Sequence, residues 1–84
     1  MHKGLRMNEL FKALYLEKTL DVEPRSVEFV KSKVASYALV RATLLSMPSM
    51  KQIQDLCKQY LCRAKIILNY KKATITFYDE PAED

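Results

Sequence analysis

The chain has 84 residues, 49% of them hydrophobic and 29% charged, with one glycine, three prolines and a formal net charge of +4. This length allows one small domain, and the composition is typical of a folded chain and excludes a disordered, collagen-like or disulfide-rich protein. No apolar run approaches the roughly 20 residues of a membrane-spanning helix, and the first ten residues lack the apolar stretch of a signal peptide. We therefore expect a cytoplasmic protein that does not associate with a membrane.

The charges are unevenly distributed along the chain. All 14 basic residues and six of the ten acidic ones fall within residues 1–78, which gives this part a net charge of +8. The remaining four acidic residues lie in residues 79–84. We predict a single basic domain over residues 1–78, followed by a short, frayed acidic tail over 79–84. A body this basic favours a polyanionic partner, nucleic acid above all.

The first segment allows two interpretations. Met7, Leu10, Phe11 and Leu14 recur at helical spacing behind a capping Asn8, which predicts a helix over about 8–19. Apolar and polar residues also alternate over residues 14–22, which is typical of a strand. In that case a third strand joins the C-terminal hairpin.

A long helix is predicted over about 24–46. Pro24 suits the first turn of a helix, and an apolar stripe follows it from Val27 to Ala38. From residue 37 onward the sequence is apolar nearly all round, so this half either lies at the centre of the domain or has one side against another chain. The predicted interface consists of Tyr37, Leu39, Val40, Arg41 and Leu44. Arg41 needs a partner there: a carboxylate such as that of Glu17 or Asp55, solvent, or another chain.

The next helix is predicted over about 50–62. Ser49 followed three residues later by Gln52 is a capping box, and Pro48 separates this helix from the preceding one. Its outer face is rich in lysine and glutamine. Cys57 and Cys62 would point about 140° apart on such a helix, so we predict two reduced thiols that do not bridge.

A C-terminal antiparallel hairpin is the last predicted element. Ile66 and Leu68 in one run, and Ile75 and Phe77 in the next, alternate with more polar residues and would share one face. Thr74, Thr76 and Tyr78 would form the outer face. The tip holds Lys71 and Lys72, either as a two-residue loop at 71–72 or within a four-residue loop over 69–72.

No constellation of catalytic or metal-binding residues is apparent. The one histidine is His2, the one glycine is Gly4, and two cysteines are too few for a tetrahedral zinc site. We expect a non-enzymatic protein with no catalytic residue, metal or cofactor.

The predicted fold class is α+β: two or three helices, mainly helical, followed by the C-terminal hairpin. This order of elements resembles the winged helix-turn-helix family. The resemblance implies a DNA-recognition helix at 50–62 and a wing at 65–78, although one unbroken helix replaces the two that the family has before its recognition helix. The implied nucleic-acid-binding residues are Lys51, Gln52, Gln54, Lys58, Gln59, Arg63, Lys65, Lys71 and Lys72.

Two functions are therefore predicted. The first is a regulator that binds double-stranded DNA and forms a homodimer through the long helix, with glutamines suited to base edges and lysines to phosphates. The alternative is a homodimeric adaptor or inhibitor that binds another protein through the apolar face of helix 24–46. RNA binding is disfavoured, because the strands offer no aromatic platform beyond Phe77 and Tyr78.

Overall fold

The computed structural model describes residues 3–31 and 38–79. These residues form two α-helices, one 3₁₀ turn and four strands. In chain order these are α1 (Lys3–Tyr15), the 3₁₀ turn Pro24–Ser26, β1 (Glu28–Lys31), β2 (Ala38–Leu44), α2 (Met50–Tyr60), β3 (Cys62–Asn69) and β4 (Lys72–Asp79).

The four strands form one antiparallel sheet in the order β1-β2-β4-β3. β2 and β4 are central, and Val40 pairs with Phe77, 37 residues further along the chain. The segment that precedes β1 in the chain also lies along β2, where the Glu23 amide donates to the Thr43 carbonyl over 2.9 Å. The Thr43 amide donates in turn to the Ser26 hydroxyl over 2.8 Å.

The hydrophobic core lies between the helices and one face of the sheet. Met7, Leu10 and Leu14 of α1 are buried against alternate residues of the two central strands, among them Val40 and Phe77. Because side chains alternate across a strand, the intervening residues of β2 and β4 lie on the opposite face.

Helix α2 confirms the capping box. The Ser49 hydroxyl accepts from the Gln52 amide over 3.1 Å, and the Gln52 side chain accepts from the Ser49 amide over 2.9 Å. The helix ends at Tyr60 because Leu61 adopts a left-handed conformation with φ 51°. Cys62 therefore begins β3, and the prediction that it lies on this helix is wrong.

The mainly helical fold predicted from the sequence is wrong, because the chain folds into two helices and a four-stranded sheet. Instead of one helix over 24–46, Pro24 begins a 3₁₀ turn, and β1 and β2 follow. Ala38, Val40, Ala42 and Leu44 face the core along β2, a period of two within a stretch that was predicted as a helix apolar nearly all round. The winged-helix resemblance fails with the long helix, because β1 and β2 stand where the family has the helices that precede its recognition helix.

The C-terminal hairpin is confirmed and longer than predicted. Ile66 pairs with Ile75, so the predicted common face is present. Asn69 pairs with Lys72, which makes the loop Tyr70-Lys71 and corrects both predicted loops. The predicted strand over 14–22 is also wrong, because only Val22 of that segment joins the sheet, through an isolated bridge to Leu44. The predicted acidic tail lies, apart from Asp79 in β4, outside the described residues.

Candidate nucleic-acid interface

The sheet face opposite the helices, here called the open face, is the candidate site. No element in the described part of the chain packs over it. Its side chains come from alternate positions of all four strands, as the register and burial patterns require. They are Glu28, Val30, Leu39, Arg41, Thr43, Arg63, Lys65, Ile67, Asn69, Lys72, Thr74, Thr76 and Tyr78.

Four of these side chains are cationic and one is anionic. Arg41 and Lys65 pair with the same residue of β4, Thr76, and so lie on either side of it in one row across the sheet. In the next row Arg63 pairs with Tyr78. Lys72 lies at the end of the face beside the hairpin turn, so the positive charges extend along and across the sheet.

Arg41 is held by a cross-strand carboxylate. Its Nε donates to Oε1 of Glu28 over 2.9 Å, and its Nη2 contacts the same oxygen. The predicted partners Glu17 and Asp55 are not the ones it contacts. Both side chains are about half exposed, and an exposed pair of this kind contributes at most about 1 kcal/mol. Arg41 can therefore exchange Glu28 for a stronger anion.

A shallow groove of about 590 Å³ runs over the open face. Leu39 and Ile67 give it apolar walls, and Thr74, Thr76 and Asn69 give it hydroxyl and amide groups. Tyr78 lines it between Leu39 and Arg63, its partners on the two neighbouring strands. The groove thus combines one aromatic ring, hydrogen-bonding groups and surrounding cations, which suits a planar base attached to a phosphate chain.

The predicted nucleic-acid-binding residues do not form one surface. Arg63, Lys65 and Lys72 lie on the open face, and Lys71 lies in the adjoining turn. The other five belong to α2, which packs on the opposite side of the sheet: Lys51, Gln52, Gln54, Lys58 and Gln59.

Three of these α2 side chains also have bonding partners within the fold, and one of them is Gln59, whose Nε2 donates to the Tyr60 hydroxyl over 3.4 Å. The Gln52 side chain completes the capping box, so it is engaged before any base could approach. Lys51 is paired with Asp55 at 3.2 Å. The glutamine face of α2 is therefore a weaker candidate for base recognition than its sequence indicates.

The residues predicted to form a dimer interface are also divided between two faces. Val40 and Leu44 are buried in the core, whereas Leu39 and Arg41 lie on the open face. Tyr37 lies outside the described residues. The long-helix interface is thus corrected: its four described residues belong to a strand, and two of them are unavailable to a partner.

From the sequence, Tyr78 was placed on the outer face of the hairpin but was not predicted as a site residue. The sequence signal that points to Tyr78 is the alternation of core-facing and outward-facing residues over 38–44, which marks this segment as a strand. Once that strand, β2, lies beside β4, Tyr78 falls between Leu39 and Arg63.

Cys57 and Cys62 are both free thiols, as predicted, and they lie close enough to influence each other's pKa. Burial, reinforced by the Cys57 thiol and the Asp79 carboxylate, raises the pKa of Cys62 to about 12, and burial also raises the pKa of Cys57. Neither is an activated nucleophile at neutral pH. Among the described residues there is no cluster of three or more potential metal ligands.

Comparison of the chain with family models, with curated proteins and with solved structures gives no significant match. Within the described ranges, no helix is long and apolar enough to span a membrane. Inference about function therefore starts from the chemistry of the open face.

Proposed function

We propose that this protein is a non-enzymatic nucleic-acid-binding protein that binds a single strand across the open face of its sheet. The observation that carries the proposal is the arrangement of Arg41, Arg63 and Lys65 around Tyr78. A nucleic-acid partner also agrees with the predicted intracellular location.

The charge of the open face supports a polyanionic ligand. Among the described residues, Arg41, Arg63, Lys65 and Lys72 outnumber the carboxylates of Glu28 on the open face and of Asp79 at the edge of the groove. In α2, by contrast, Asp55 offsets one of the two lysines. Phosphate contacts supply most of the sequence-independent affinity of nucleic-acid-binding proteins, so the more basic face is the better candidate.

The shape of the face supports a single strand over a duplex. Bases of a single strand are free to stack on an aromatic ring, and every base has such a face to offer. The major groove of B-DNA admits a helix or a two-stranded ribbon, whereas this face is four strands wide and has helices packed behind it. The double-stranded DNA predicted from the sequence would have to contact the α2 surface instead.

Fluorescence anisotropy tests the proposal. A labelled 20-nucleotide single strand of mixed sequence and the same strand annealed to its complement are each titrated with protein at 50 mM salt. We expect the single strand to bind at least tenfold more tightly than the duplex. Tighter binding of the duplex would favour the α2 surface, and the absence of binding to either would reject nucleic acid as the ligand.

A further inference from the structure

β3 occupies an edge of the sheet and pairs with β4 alone among the described strands. Its eight residues span about 26 Å at about 3.3 Å per residue, and no described strand pairs along its other side. The opposite edge strand, β1, has only four residues. β3 is thus the longer template for adding another strand.

The β3 edge carries little of the protection usual for such strands. It contains no proline and no bulge, and exposed apolar side chains lie along and beside it. Ile67 is 50% exposed, Leu68 72% and Leu61, just before the strand, 58%. Arg63 and Lys65 are its charged residues, and both project from the open face.

We infer that β3 pairs with β3 of a second copy, antiparallel about a two-fold axis through Ile66, to form a continuous eight-stranded sheet. When two identical edge strands pair antiparallel, the two-fold axis is perpendicular to the sheet, and the helices of both copies lie on the same side. Such an axis passes through one residue position, where a residue lies opposite its own copy. The charges on β3 then select the register, because like charges directly opposite each other destabilise a strand pair.

With the axis at Ile66, Lys65 lies opposite the partner's Ile67, and Arg63 lies opposite the partner's Asn69. No two cations are directly opposed in this register. The neighbouring registers each oppose like charges. An axis at Lys65 opposes that lysine to its own copy, an axis at Ala64 opposes Arg63 to the partner's Lys65, and an axis at Ile67 opposes Arg63 to the partner's Lys71.

This arrangement joins the two open faces into one surface. It does not rest on nucleic-acid binding, because the mass of the protein alone reports it. A chain of 84 residues buries a smaller share of its unfolded surface than a larger domain does, so an added interface also suits its size.

Sedimentation equilibrium without nucleic acid tests the inference through a pair of opposite charges at one position. Ile67 faces the partner's Lys65 twice across the axis, so Ile67→Lys creates two repulsive pairs and Ile67→Glu creates two attractive ones. Because Ile67 is half exposed, neither change removes a core side chain. Circular dichroism confirms that both variants keep the native fold.

We expect the wild-type protein to sediment at twice 9.8 kDa at tens of micromolar. The Ile67→Lys variant should raise the dimer dissociation constant at least tenfold, and Ile67→Glu should lower it severalfold. Val30→Lys and Val30→Glu are the matched controls on the other edge strand, where Val30 is 40% exposed on the same face. They make the same changes in net charge and should leave the constant within twofold.

Three results would overturn the inference. They are a wild-type monomer at millimolar concentration, equal effects of lysine and glutamate at position 67, and an effect of the Val30 variants as large as that of the Ile67 variants. The last result would place the contact at β1.

Discussion

Removing two lysines from the open face should flatten the salt dependence of single-strand binding, whereas removing two from α2 should not. Four cations contacting phosphates predict a slope of log K against log salt of about −2.8, at about −0.7 per contact on a single strand. Binding should then weaken roughly 50-fold between 50 and 200 mM salt. Lys65→Gln combined with Lys72→Gln leaves two contacts, a slope of about −1.4 and a loss of roughly sevenfold.

The matched control is Lys51→Gln combined with Lys58→Gln on the outer face of α2. Both double variants lower the net charge by two through the same chemical change, so a general charge effect cannot separate them. The assay is anisotropy of the labelled 20-nucleotide strand at four salt concentrations. A wild-type slope in the open-face variant, together with a reduced slope in the α2 variant, would refute the assignment of the site.

Three further predictions concern single residues. Tyr78→Leu should weaken single-strand binding by 5- to 150-fold in the same assay, because one base–ring stack contributes about 1–3 kcal/mol, whereas Tyr15→Leu on α1 should have no effect. Leu61→Gly should raise the free energy of unfolding in urea by about 0.5–1 kcal/mol, since glycine tolerates the φ of 51° and Leu61 is 58% exposed; a decrease would contradict this reading of the helix end. Because folding raises the pKa of Cys62, its thiol contributes fully to the free energy of unfolding below pH 9. This contribution is lost as the pH rises toward 12. Its alkylation at pH 8.5 should therefore be at least about 100-fold slower in native than in guanidinium-unfolded protein, and equal rates would contradict the burial argument.

The parts of the fold that the sequence predicted correctly are specified by local chemistry. Ser49 and Gln52 cap α2 through bonds three residues apart, and Pro48 keeps the preceding segment from continuing into that helix. The hairpin is similarly local, because β3 and β4 are separated by two residues and their alternating apolar residues require one common face.

The parts that the sequence did not predict depend on distant contacts. Residues 38–44 are apolar enough to satisfy a helical or a strand pattern, and what decides between the two is pairing with β4, 29 to 39 residues later. Leu39 and Thr43 are half-buried although they lie on the open face, which hid the alternation that marks a strand. Pro24 was equally ambiguous, since it suits a 3₁₀ turn as well as an α-helix.

The candidate site likewise has one part that is visible in the local sequence and another that depends on distant contacts. Arg63, Lys65 and Lys72 were identified individually because positive charge is visible in the sequence. That they share a face with Arg41 and Tyr78 follows only from the strand order, in which β4 lies between β2 and β3. The two free thiols were predicted correctly, whereas the place of Cys62 was not, because a left-handed Leu61 ends α2 before it.

Amide chemical shifts recorded during titration with a ten-nucleotide single strand test the central claim most directly, because they locate the ligand on the fold. Binding across the open face predicts that the largest changes fall in β2, β3 and β4, centred on Arg41, Thr76 and Tyr78, with Gln54 and Lys58 of α2 unchanged. Changes concentrated in α2, or none at millimolar ligand, would contradict a nucleic-acid site on the open face.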